Sequence, residues 1–334
     1  MEKDRYNKLN SYLKEKYGER TLKICIDGNF TCPNRDGTKS NTGCIFCSKY
    51  GSGEHIKEFI KKTSNDPRIL QEYNSKNSAN LNSIYFTEKY IKFQIENYFK
   101  SYKATRANKF IAYFQNYSNT YDSISNLKIK YDSALSDSRI ICLDIATRPD
   151  CINEEICMLL ASYKNKYDVW VELGLQTSNE VTGKSLNRCY SNSDFSNAVK
   201  LLNKYNIEVI THIMIGLPNE KKSDIDNTIN FVNSHNIQGI KIHSTYIVKG
   251  TKLEELYNNG QYFPISLEEY IKNACYILTH INPNIIIHKI SGDAPKDLLI
   301  APKWNLHKKW IINGIDRYLR EKDLYQGMYY KPTK

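Results

Sequence analysis

Short apolar segments recur along the whole chain, separated by stretches with helical spacing, and this alternation constrains the fold more than any other feature. Leu22–Ile26, Lys109–Phe114, Arg139–Ala146, Val169–Leu173, Glu208–Ile215, Ile240–Tyr246 and Ile285–Ile290 read as strands, rich in β-branched and aromatic residues. Between them run amphipathic stretches such as Ser83–Lys103, where Ile91, Ile95, Tyr98 and Phe99 fall at helical spacing. Asn153 is placed to cap a further helix, with Glu154 and Glu155 in its first turn. Strand–helix alternation implies right-handed βαβ crossovers and a parallel sheet. Seven such strands predict an α/β fold: a curved sheet forming a partial (βα)6-type barrel with an additional strand. The basic, aromatic tail from Lys303 to Lys334 predicts a C-terminal helical closure, with exposed lysines left over for a polyanion. In barrels of this kind the chemistry sits at the C-terminal ends of the strands.

A chain of 334 residues can bury a sizeable core, as one large α/β domain or two smaller ones. Charged residues at 25% and hydrophobic residues at 40% exclude wholesale disorder. The longest apolar runs, such as Ile285–Ile287, are far too short to span a bilayer. The N-terminal Met1-Glu2-Lys3-Asp4-Arg5 carries charges where a secretory signal needs an apolar stretch. Nine cysteines without such a signal argue for a reducing compartment and metal chemistry, so a cytoplasmic protein is expected. The net charge of +11 is compatible with a polyanionic partner. Lysine–tyrosine neighbours such as Lys89-Tyr90 and Tyr330-Lys331 suit stacking on bases and gripping phosphate, and equally suit ordinary surface.

Cys32, Cys44 and Cys47 lie in one glycine-bearing segment, Cys-Pro-Asn-Arg-Asp-Gly-Thr-Lys-Ser-Asn-Thr-Gly-Cys-Ile-Phe-Cys. Three thiolates so placed can hold three irons of a [4Fe–4S] cluster and leave the fourth iron open for a substrate or cofactor. The competing reading is a structural zinc site with Cys25 or His55 as fourth ligand, Cys44-x-x-Cys47 being half of a zinc knuckle. A zinc protein that binds RNA through its basic face is the corresponding non-enzymatic alternative.

With Phe46 directly before its last cysteine, the segment Gly28–Ser48 resembles the cluster loop of the radical S-adenosylmethionine (SAM) superfamily. It is most similar to the YtqA/YhcC (MnmL-like) group, relatives of the Elongator catalytic subunit; that group likewise has eleven residues between its first two cysteines. The resemblance extends to Gln115-Asn116-Tyr-Ser-Asn, Thr147-Arg148-Pro149-Asp150, Glu172-x-Gly-x-Gln176, His212-Ile-Met-Ile-Gly216 and Ser291-Gly292-Asp293, and covers most of residues 20–325. It implies a radical SAM barrel with a [4Fe–4S] cluster on Cys32, Cys44 and Cys47. Cofactor contacts are expected from Phe46, Gln115, Asn116, Arg148, Glu172, Gln176 and Gly216. Glu172 can equally be a structural ion-pair partner, and Arg148 can pair with Asp150. His212 and His243 read first as satisfied core histidines.

The chemistry implied is reductive cleavage of SAM to methionine and a 5′-deoxyadenosyl radical that abstracts hydrogen from a C–H bond. The group resemblance points to tRNA as substrate, at the wobble uridine, converting carboxymethylaminomethyluridine to aminomethyluridine. A flavodoxin- or ferredoxin-type reductant is implied as partner. The expected organisation is an N-terminal helical extension over 1–20, a core barrel over 21–290 and a closing segment over 291–334.

Overall fold

The computed structural model describes residues 4–51 and 84–332. Strands β1 (Thr21–Ile26), β2 (Lys109–Phe114), β3 (Ile140–Thr147), β4 (Asp168–Gln176), β5 (Glu208–Ile215) and β6 (Gly239–Ser244) are hydrogen-bonded in chain order. A short β7 (Ile247–Val248) leaves this sheet, β8 (Ile286–Lys289) completes it beside β6, and β9 (Leu299–Ala301) pairs with β7 in antiparallel fashion. All six pairings within the seven-stranded sheet are parallel. The sheet curls into the expected half-barrel. The β7–β9 ribbon is an addition that two- and three-residue strands are too short to announce in a sequence.

Helices α1 (Leu9–Tyr17), α2 (Ile84–Phe99), α3 (Ile124–Ala134), α4 (Glu154–Tyr163), α5 (Glu180–Ser185) and α6 (Asn192–Lys204) precede β5. They are followed by α7 (Lys222–Asn233), α8 (Lys252–Asn258), α9 (Leu267–His280) and α10 (Lys308–Glu321). Most start where the sequence offers an oxygen to the first free amides. Ser123, Asn153, Asn179, Ser191, Thr251 and Ser266 each accept from a first-turn N–H. The outer face of the sheet and the inner faces of the helices form one apolar core that includes Ile24, Phe114, Leu143, Val171, Val209 and Ile242. In the last helix Gly314 has a packing reason: a Cβ there would press on Ile271 Cδ1, so the glycine lets α10 lie against α9 without displacing that side chain.

Along each strand, alternate residues turn into the barrel. At the N-terminal ends they are apolar: Ile111, Cys142, Trp170 and Ile210 pack with Leu13 of α1, which plugs the bottom. One step up the strands they are charged or polar: Lys23, Tyr113, Asp144, Glu172, His212 and Lys241. A further step leads into an open cavity. The tail returns to the start of the chain, where Gln326 accepts from Asn7 N at 2.9 Å and donates to Ile285 O at 2.7 Å.

Candidate active site

The C-terminal ends of the strands and the loops after them surround a cavity of about 1040 Å³. Cys32, Cys44, Phe46 and Cys47 line it, as do Gln115, Arg148, Glu172 and Gln176. Eight of the ten residues singled out in the sequence thus meet at one place.

The cysteine loop is held by its own backbone and by a distant segment. Arg35 N and Asp36 N donate to Cys32 O at 2.8 and 3.2 Å, and Cys47 N donates to Cys44 O at 3.0 Å. The Arg35 guanidinium spans the loop to the carbonyls of Cys47 (2.6 Å) and Ser48 (2.7 Å). Gly43 turns at φ +76°, and a Cβ there would lie 2.8 Å from Arg35 Nε. Asn34 Nδ2 donates to Asn187 O at 2.6 Å and lies 3.6 Å from Cys44 Sγ. Asn187, at φ +53°, returns its own amide to Ser40 Oγ, Thr42 Oγ1 and Gly43 O at 2.7–3.1 Å. The turn after α5 therefore works as a clamp on the cysteine loop.

The donor set suits a cluster. No two of the nine cysteines form a disulfide. Burial, with Cys47 close by, pushes the Cys44 thiol up to about 12, and a bound cation reverses that preference by stabilising the thiolate. Among the described residues, no three His, Cys, Asp or Glu side chains close on a point as ligands of one metal ion do. Cys25, one fourth ligand considered for zinc, lines the same cavity with its Sγ 3.5 Å from Gln115 Oε1. His55, the other, lies outside the described residues.

Glu172 sits at the centre of the charged layer. Its carboxylate accepts from Tyr113 Oη (2.7 Å), Lys23 Nζ (3.0 Å), His212 Nε2 (2.8 Å) and Lys241 Nζ. Burial alone would raise this carboxyl, but Lys23 and Lys241 more than offset it and hold it well below the usual range. Asp144, also bound to Lys23, goes the other way. Burial and the neighbouring Glu172 charge push it up toward neutrality. Of the two structural roles the sequence left open for Glu172, the ion pair is present, and the residue lines the cavity as well.

Arg148 grips Asp150 with two bonds of 2.9 Å and lies 4.7 Å over the Tyr190 ring, while its side chain still faces the cavity. Gln176 sits at φ +60° beside a register shift between β4 and β5, and its Oε1 accepts from Tyr190 Oη at 2.7 Å. Two expected contacts are placed elsewhere. Asn116, in the turn after β2, is fully buried and does not line the cavity. Gly216 is also outside it. Its φ of +80° shapes a turn closed by Glu220, whose carboxylate accepts from Gly216 N at 2.7 Å, and by Tyr262, which donates to Gly216 O. The positive φ gives the glycine a backbone reason of its own.

His212 and His243 both line the cavity, His212 bonded to Glu172 and His243 with its Nε2 buried and unpartnered. Lys23, Tyr113, Asp144, Lys241, Asn187 and Tyr190 were not singled out. Lys23, Asp144 and Lys241 carried a usable signal, since each is a lone charge inside an otherwise apolar strand.

A parallel half-barrel with three cysteines at the mouth of its cavity belongs to a defined class. The profile of the radical SAM superfamily matches residues 36–232, and that of the radical SAM C-terminal domain matches residues 237–321. The chain belongs to the radical SAM superfamily, enzymes that use a [4Fe–4S] cluster and SAM. It is 34% identical over 327 residues to the uncharacterized protein YtqA of Bacillus subtilis, covering 98% of this chain and 93% of YtqA. It is 31% identical to protein YhcC of Escherichia coli, covering 94% and 92%. Mouse Elongator complex protein 3 is 27% identical over 51% of this chain and 31% of its own length. The fold matches archaeal Elp3 of Methanocaldococcus infernus with a TM-score of 0.62 at 16% identity, over 92% of this chain and 64% of that one. Among the described residues no helix is long and apolar enough to cross a membrane.

Proposed function

We propose that this protein is a radical SAM enzyme acting on the wobble uridine of tRNA, converting carboxymethylaminomethyluridine to aminomethyluridine in the cytoplasm. One observation carries the cofactor part: three thiols share the mouth of a single cavity with Gln115, Arg148 and Gln176 from three successive strand ends. In this reading Cys32, Cys44 and Cys47 hold three irons, and the amide and guanidinium groups of the strand ends orient SAM. When bound, cluster and SAM supply a radical able to take hydrogen from a C–H bond. The chain's own part is to hold, orient and exclude water. The Asn187 clamp fixes the cysteine loop, the α1 plug seals the bottom of the barrel, and the lysine–carboxylate layer presents a polar floor without bulk water. The substrate part is supported by the resemblance to the YtqA group and by the net charge of +11. The same reading assigns residues 1–20 to an extension, 21–290 to the barrel and 291–334 to a closing segment, with a flavodoxin- or ferredoxin-type reductant.

Two measurements test it. Anaerobic reconstitution with iron and sulfide is expected to give a brown protein that cleaves SAM, and Cys32→Ala, Cys44→Ala and Cys47→Ala each to lose both properties. Cys142→Ala and Cys275→Ala, in the core, are expected to keep them. Colourless wild-type protein with stoichiometric zinc would reject the cofactor assignment. Mass spectrometry of tRNA nucleosides from cells lacking the gene is expected to show carboxymethylaminomethyluridine accumulating at the expense of aminomethyluridine. Unchanged nucleosides would reject the substrate.

A further inference from the structure

On the β6–β8 side of the cavity the described cations outnumber the anions that could balance them. Glu172 is shared between Lys23 and Lys241, and Asp293 is shared between Lys289 (2.6 Å) and Lys308 (3.4 Å). The remaining carboxyl, Asp144, is the one pushed up toward neutrality by burial and by Glu172. Three ammonium groups at the cavity wall, Lys23, Lys241 and Lys289, therefore share two carboxylates, Glu172 and Asp293, and burial lowers Lys241 to about 8.

Lys241 and His243 are two apart on β6, so both turn inward, and Lys289 is the register partner of Lys241 on β8. All three line the cavity. The His243 Nε2 is buried and has no partner. Its ring is kept neutral by burial and by His212 beside it, the two ring centroids lying 5.2 Å apart. A neutral imidazole next to two ammonium groups offers a directed N–H without adding a third charge. A buried polar atom left without a partner is costly, and because the ring is half-buried at the cavity wall, a turn of the imidazole would bring Nε2 to a ligand oxygen and relieve it.

We propose that Lys241, His243 and Lys289 form a cradle for a carboxylate, and that the group it receives is the carboxylate of the substrate's carboxymethylaminomethyl arm. This rests on the tRNA reading given above and adds the residues that select the substrate. The arm ends in a carboxylate while the aminomethyl product does not, so the cradle favours substrate over product. The carboxylate of SAM has the same chemistry, and the experiment separates the two.

The test uses reconstituted protein and two tRNAs that differ only at the wobble uridine. One carries carboxymethylaminomethyl, the other methylaminomethyl, which keeps the amine and lacks the carboxylate. Wild-type protein is expected to bind the first at least about tenfold more tightly, because charge-assisted hydrogen bonds are lost with the second. His243→Ala and Lys289→Gln are expected to erase that preference while leaving affinity for the second tRNA, and for SAM followed by electron paramagnetic resonance, as in the wild type. Lys289 is partly exposed, so its variant serves if His243→Ala does not fold. Equal wild-type affinity for the two tRNAs, both above that for unmodified uridine, overturns the cradle, and so does weakened SAM binding in either variant, which would give the site to SAM. If neither tRNA binds better than one with unmodified uridine, the tRNA reading fails. The cradle is then judged with N-methylglycine, the arm without its nucleoside. Saturable binding that Lys289→Gln removes supports a carboxylate site, and no binding overturns it.

Discussion

Glu220 shows how a single residue ties backbone conformation to pH. Its carboxylate accepts from the Gly216 amide and holds the left-handed turn after β5. Burial raises the carboxyl to about 7 against a usual 4.5, the backbone bonds from Gly216 and Leu217 only partly opposing it. The folded state thus binds the proton more tightly than the unfolded chain. The stability this contributes is fully present below about pH 4.5 and is lost as pH rises through about 7. Glu220→Gln keeps an oxygen to accept from Gly216 N and removes the titration. Urea unfolding from pH 4.5 to 7 is expected to show a stability slope shallower by up to about 1.4 kcal/mol per pH unit in the variant. Identical slopes would place the proton elsewhere. Asp144 contributes with the same sign, so the variant retains part of the slope.

At the scale of elements, the structure assigns the turn after α5 a task that is invisible locally. Asn187 adopts φ +53° and spends its amide on three oxygens of residues 40–43. Asn187→Gly tolerates the backbone conformation and deletes only the clamp. The fold is expected to survive with a loss of about 0.5–1.5 kcal/mol, the net contribution of a hydrogen bond whose acceptors water can partly reach. The reconstituted cluster is expected to be lost faster on exposure to a chelator. If cluster lifetime follows the wild type while stability falls, the clamp is structural alone. Asn187→Ala adds backbone strain and is expected to be the less stable of the two.

At the scale of the molecule, charge and shape meet at the start of α10. Lys308 and Lys309 are exposed beside Trp310, which is 56% exposed and stacks on His307 with ring centroids 3.9 Å apart. The sequence reading grouped Lys303 with these lysines. Lys303 is exposed too, with its Nζ donating to Leu299 O at 2.8 Å. Binding of tRNA is expected to weaken steeply with salt, since lysine contacts release counterions from phosphates. Replacing Lys308 and Lys309 by Gln is expected to flatten the log–log slope by roughly 1–2. An unchanged slope would move the RNA surface elsewhere, and undetectable binding would remove the tRNA assignment while leaving the radical chemistry standing.

The strands, their order of appearance and the cysteine loop were legible because they are local. Period-two apolar runs gave all seven barrel strands to within three residues at each end, and Asn153 marked its helix as a cap does. The register was not legible, because it is settled only when neighbouring strands pair. It turned Lys23, Asp144, Glu172 and Lys241 onto one inward layer and fused four isolated charges into a shared network. It also left Asn116 fully buried and put Gly216 in a turn closed by Glu220 and Tyr262. Sequence periodicity says which residues of a strand share a face. Only the closed packing of strand on strand says what that face meets, and in a buried layer of low dielectric that meeting sets which groups are charged.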